Sequence, residues 1–97
     1  MIKFTWDEKK NQSNIKKHGI SFDEAVTVFL DENAILVYDE PHSEAEDRFI
    51  LLGISNKSNM LVVCHCYRDK EETIRIISAR KADKGEIKDY YERGGQA

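Results

Sequence analysis

The apolar residues of this chain change period sharply at Asp31-Glu32-Asn33, and that change constrains the fold more than any other feature. Ahead of it, Phe22, Ala25, Val26, Phe29 and Leu30 recur at helical spacing on one face. Behind it, AILVY, RFILLGIS, MLVVCHCYR and TIRIISA read as strands rich in β-branched and aromatic residues. From about Lys81 the helical period returns, with Ile87, Tyr90 and Tyr91 at i, i+3 and i+4.

Punctuation places the remaining elements. IKFTW alternates as a short strand, and Asp7 then caps a polar helix to about Lys17, which Gly19 stops. Ile15 is the only clear apolar anchor of that helix, so it is expected on the surface. Ser21 with Glu24 forms a capping box that opens a second helix from about Phe22 to Leu30. The two helices meet across a very short turn. PHSEAED, NKSN and DKEE are loops, the last two short enough for hairpins, and Gly94-Gly95 ends the terminal helix.

The order is strand, helix, helix, four strands, helix. This predicts an α+β fold, an antiparallel β-sheet carrying two N-terminal helices and one C-terminal helix. Ninety-seven residues suit one domain over 1–97, with Trp6, Phe22, Phe29, Ile50, Leu52, Val62 and Ile77 supplying much of its core.

A net charge of −3 argues against a protein that coats DNA, although clustered acids leave room for local basic patches. No apolar run reaches membrane-spanning or signal-peptide length, so a soluble cytoplasmic protein is expected. Cys64 and Cys66 sit two apart in a strand, a poor disulfide geometry, and are expected reduced. Cys64, His65 and Cys66 aim alternately at opposite faces, so no metal site is expected.

The charged hairpin HCYRDKEETIRIISARKA draws the functional question. With DKEE as a four-residue loop, Arg68 pairs with Thr73, Cys66 with Arg75 and Cys64 with Ile77. His65 and Tyr67 then share a face, and Arg68 points away from both. A lone surface arginine usually just pairs with acids. Arg68, Arg75 and Arg80 gathered with a His and a Tyr weaken that reading. Arginine forks fit phosphate and imidazole exchanges a proton near neutral pH, so the set suits metal-free phosphodiester chemistry. His18, beside Gly19 at a helix end, reads first as a capping cation. With Lys16 and Lys17 it forms a small basic run that can meet RNA phosphates, although such a run is more often a solvated helix end.

FTWDEKKNQSNIKKHGISFDEA, DRFILLGIS and RIISARKADKGE, with Tyr90 downstream, resemble the BrnT family of bacterial toxins over nearly the whole chain. The resemblance implies a RelE-like fold and a ribonuclease toxin of a type II toxin-antitoxin system that arrests growth. It also implies neutralisation by a BrnA-like ribbon-helix-helix antitoxin, through which alone the complex would contact DNA. Arg80, in I-S-A-R, closes the last strand where RelE-like toxins often carry a catalytic arginine. Arg68 resembles the second basic residue of such sites. RelE-like nucleases are commonly basic, and this chain departs from that.

The expected site is thus His65, Tyr67, Arg68 and Arg80 for catalysis, with Lys16, Lys17 and Arg75 guiding RNA and no cofactor. The competing expectation is a binding protein whose exposed sheet face holds an antitoxin-like partner, with catalysis weak or absent.

Overall fold

The computed structural model describes residues 2–94. Asp7 opens α1 (Glu8–His18) by accepting the N–H groups of Lys9 and Lys10, and Gly19 closes it in the left-handed region at φ 73°. Ser21 starts α2 (Phe22–Thr27) by accepting the Glu24 N–H at 3.1 Å. The box expected there is only half made. The Glu24 carboxylate turns away to accept Ser55 Oγ–H at 2.6 Å and Asn59 Nδ2–H at 2.8 Å, stapling α2 to a distant turn. After Thr27 the helix tightens into a 3-10 turn, Val28–Leu30. Leu30 ends 82% exposed, outside the apolar face its spacing suggested.

The strands are β1 (Lys3–Thr5), β2 (Ile35–Tyr38), β3 (Phe49–Ile54), β4 (Met60–Arg68) and β5 (Thr73–Lys81), before α3 (Lys84–Arg93). The sheet order is β1-β5-β4-β3-β2. β2 to β5 form the antiparallel meander that the short loops predict, and β1 joins β5 in parallel. α3 carries a complete capping box between Asp83 and Glu86. Its last N–H bond comes from Gly94, whose φ is −82°. What requires glycine there is space, since a Cβ would lie 2.5 Å from the Asn33 carbonyl oxygen; Gly95 lies outside the described residues.

One face of the sheet is covered by α2, which buries Phe22 and Ala25 against Leu51, Val63 and Ile76. The other face is covered only in part, by α3, whose Tyr90 packs on Leu52 and Val62. Of the expected core, Phe22, Leu52 and Val62 are buried, while Trp6, Phe29, Ile50 and Ile77 are half-buried.

Ile15 does not anchor α1, being 38% exposed. Two buried asparagines do. Asn11 Oδ1 accepts the Phe22 N–H at 2.8 Å. Asn14 donates to the carbonyls of Ile20 and Ala79 and accepts the Ala79 N–H at 3.1 Å. β1 reaches only as far along β5 as Arg75, so the Asn14 carboxamide stands in for a strand partner at Ala79.

The β4–β5 hairpin holds the main departure from the expected register. Arg68 pairs with Thr73 and Cys66 with Arg75 as the loop length implies, but Cys64 pairs with Ser78 rather than Ile77. A bulge between Cys64 and His65 leaves Ile77 as the extra residue. Beyond the bulge the parity of β5 is reversed. Ala79 goes into the core, and Ser78 and Arg80 turn to the face that α3 only partly covers.

Candidate active site

Arg80 stands on that open face opposite Val62, at the rim of a groove of about 250 Å³. Around it the groove gathers His18 from the last turn of α1, Asp39 and His42 from the β2–β3 connection, and Arg48 just before β3. Ile50, Val62 and Cys64 form part of its lining, with the bulged Ile77-Ser78 beside them.

Local hydrogen bonds fix the β2–β3 side. Pro41 lies within a 3-10 turn, Glu40–His42, where its restricted φ suits the first helical positions. Ser43 Oγ–H donates to the Asp39 carbonyl at 2.6 Å and accepts the Arg48 N–H at 2.9 Å, closing the connection on itself. His42 Nδ1–H donates to the Asp39 carboxylate at 3.0 Å. A carboxylate only accepts, so this contact sets the imidazole tautomer and leaves Nε2 as the working nitrogen. The His42 side chain is 68% exposed while that of Asp39 is 10% exposed, a solvent-facing ring on a buried support.

The two arginines differ. Arg48 makes no ion pair among the described residues. Arg80 grips Glu86 through two 2.8 Å hydrogen bonds, which hold its proton more tightly and press the Glu86 carboxyl below its usual range. Burial pushes the Cys64 thiol up despite the nearby Arg48 charge, so it is a poor nucleophile. Past Ser78 the surface runs into a hollow of about 180 Å³ lined by Lys10, Ser13, Asn14, Lys17 and His18. A phosphodiester in this groove would meet two guanidinium groups and two imidazoles, with lysine beyond them.

The structure does not gather the residues expected from the hairpin. His65 is fully buried on the opposite face, edge-on to Phe29 at 4.9 Å and to Tyr67 at 5.3 Å. Its Nδ1 lies 3.2 Å from the Val63 carbonyl, which can only accept, so Nε2 accepts the Tyr67 O–H at 3.3 Å. Burial lowers the His65 pKa and raises that of Tyr67, which holds both neutral. Arg68 bonds Glu46 at 2.9 Å, six residues along β4 from Val62, the partner of Arg80, which is about 20 Å at strand rise. Arg75 lies between Thr5 and Cys66, and Lys16 is exposed on α1. Of the expected set, only Arg80 lines the groove and only Lys17 lines its extension. Parity and the bulge cause the separation.

Sequence reasoning did not single out Asp39, His42 or Arg48, and it read His18 as a capping cation or as part of the Lys16-Lys17-His18 basic run. One signal was available: the single proline, directly before His42 and two residues after Asp39.

A family model described as the ribonuclease toxin BrnT of type II toxin-antitoxin systems matches residues 6–86. The chain is also similar to a solved structure, the Brucella abortus ribonuclease toxin BrnT, at 28% identity and a TM-score of 0.66. That match covers 87% of this chain and 100% of the other. No curated protein matches.

Proposed function

The chain belongs to the BrnT family of ribonuclease toxins of type II toxin-antitoxin systems, and on that premise we propose that the Arg80 groove is its RNA-cleaving site. The observation that carries the reading is the meeting of His18, His42, Arg48 and Arg80 around one groove, with His42 oriented by Asp39. In this reading the RNA 2′-hydroxyl attacks the adjacent phosphorus. His42 Nε2 takes the 2′ proton, and the resulting imidazolium is stabilised by Asp39. His18 gives a proton to the departing 5′-oxygen, so the 2′-O–P bond forms as the P–O5′ bond breaks and a cyclic phosphate remains. Arg48 and Arg80 stabilise the charge growing on the phosphoryl oxygens. Lys10 and Lys17 receive the strand beyond the cut.

His65 and Tyr67 are structural in this account, and Arg68 lies too far along β4 to share the phosphate. No step calls on a metal. Cleavage of cellular RNA would arrest growth, and a BrnA-like ribbon-helix-helix antitoxin would restrain the nuclease and supply any DNA contact.

The test is cleavage of a defined RNA, with a copy carrying 2′-deoxyribose at the scissile position alongside. Wild type is expected to cut only the RNA and to keep its activity in EDTA. Arg80→Ala should lose about 10²- to 10³-fold in rate. Cleavage of the deoxy substrate, or full activity in both His42→Ala and Arg80→Ala, would remove the groove from the account. A binding-only role has one observation in its favour, the commitment of Arg80 to Glu86. Intact RNA at saturating wild-type protein would select that role.

A further inference from the structure

The sheet has two edges, and they are protected very differently. β1 is three residues long, carries Lys3, and lies beside the stretch of β5 that Asn14 seals. β2 has none of the usual edge defences: it is Ile-Leu-Val-Tyr, without charge, proline or bulge. Leu36, Val37 and Tyr38 are 52%, 45% and 47% exposed. Leu30, in the 3-10 turn packed on the same face as Leu36, adds another exposed apolar side chain.

Backbone alternation shows which groups are on offer. The Asp39 N–H donates to the Arg48 carbonyl at 2.9 Å, and these two residues continue the β2–β3 register. By antiparallel alternation Ile35 and Val37 bond inward to β3, while Leu36 and Tyr38 turn their N–H and C=O groups outward. An exposed acid stands at each end of the strand, Glu32 before it and Glu40 after it.

The geometry points to the β2 edge as the docking site of an extended antitoxin segment that alternates apolar residues and carries basic residues at both flanks. This rests on the toxin-antitoxin reading above and adds which surface is used and what chemistry fits it. Strand addition would satisfy the outward groups of Leu36 and Tyr38 and cover their side chains. Basic flanks would meet the acids at either end. A second copy of this chain fits poorly, because antiparallel pairing of β2 with itself sets Glu32 close to Glu40 of the other copy.

The test is amide exchange on the full chain, titrated with a synthetic peptide of alternating Val and Thr between Lys pairs. A Glu-flanked analogue is the control. The expected result is slowed exchange at the Leu36 and Tyr38 amides, with the Glu-flanked peptide binding at least about tenfold more weakly, as an unfavourable charge contact of ~1.4 kcal/mol gives. Leu36→Pro removes an outward N–H while sparing the bonds to β3 and should abolish the protection. Leu36→Lys, which keeps the N–H, should weaken the Lys-flanked peptide should the proline variant not fold. Unchanged exchange at both amides, equal binding of the two peptides, or a concentration-dependent dimer protecting the same amides would each overturn the proposal. RNA cleavage is a separate readout. If it fails while the peptide result holds, the catalytic reading falls and the docking surface stands.

Discussion

Arg80 and Glu86 face each other as fork to fork, two parallel 2.8 Å hydrogen bonds joining the end of β5 to the first turn of α3. This is the geometry in which an arginine would hold a phosphate, with a carboxylate in the phosphate's place. The same carboxylate accepts the Asp83 N–H at 2.9 Å, so the contact also belongs to the helix cap. Removing its charge should therefore act on catalysis and on α3 together. Glu86→Gln is expected to lower the KM for RNA, while the melting temperature falls by a few degrees through loss of about 1 kcal/mol of capping. Steady-state kinetics beside a thermal melt checks this. A raised KM would mean that Glu86 positions Arg80 rather than competing for it.

Asn14 carries the attachment of α1 to the sheet. Asn14→Ala strands the Ala79 N–H and leaves two carbonyls short of a donor, each unsatisfied buried group costing about 1–3 kcal/mol. A loss of at least about 3 kcal/mol, three groups at the low end of that range, is expected from a chemical denaturation curve. An unchanged midpoint would show that water replaces the side chain without cost. Ile15→Ser, by contrast, should shift the midpoint little, since Ile15 is partly exposed.

His65 predicts a pH dependence of stability. Burial depresses its folded pKa below the unfolded value of about 6.5, so between the two the unfolded chain binds the extra proton. This contribution is fully present above pH ~6.5 and is lost as pH falls from there through the folded pKa. The denaturation midpoint should drop between pH 7.5 and 5.5, and His65→Phe should flatten that slope. Cleavage by His65→Phe should persist, because the ring lies on the far face from the groove. A His65→Phe enzyme that folds normally but is inactive would return His65 to the catalytic account.

Tyr90 ties α3 to the rest of the molecule. Its hydroxyl donates to Asp31 Oδ2 at 2.7 Å, and burial together with that carboxylate pushes its pKa up to about 12. Burial alone would raise the Asp31 carboxyl, but bonds from Ile54 N, Tyr90 Oη and Asn33 N outweigh it and hold it below its usual value. Tyr90→Phe should cost about 1.5–3 kcal/mol, as for a hydrogen bond to a charged group. Part of that difference should disappear as pH falls through the folded pKa of Asp31. A pH-independent difference would assign the effect to packing.

The elements were legible where a local rule decides them. Asp7, Gly19 and Ser21 announce both N-terminal helices, and the four alternating runs give the meander. The site was not legible, for two physical reasons. A bulge such as the one at Ile77 leaves no mark in composition, yet it reverses the parity of Ser78 through Arg80 and so decides which face Arg80 serves. The groove also draws on His18 from α1, on Asp39, His42 and Arg48 from the β2–β3 connection, and on Arg80 from β5, three parts of the chain that only the tertiary fold brings together. The burial of His65 was not legible either: a histidine in a strand reads as accessible, and only in the fold do Phe29, Phe49 and Tyr67 close around it.

The sealing of β5 by Asn14 has a consequence for how these molecules can associate. A sheet with two receptive edges is a divalent monomer, and divalent monomers polymerise. With one edge short, charged and flanked by a helix clamp, the chain is monovalent in strand addition. It can accept a single strand at β2, and that acceptance terminates growth. A toxin made this way could accumulate with its partner as discrete complexes, without the risk of linking into a fibre.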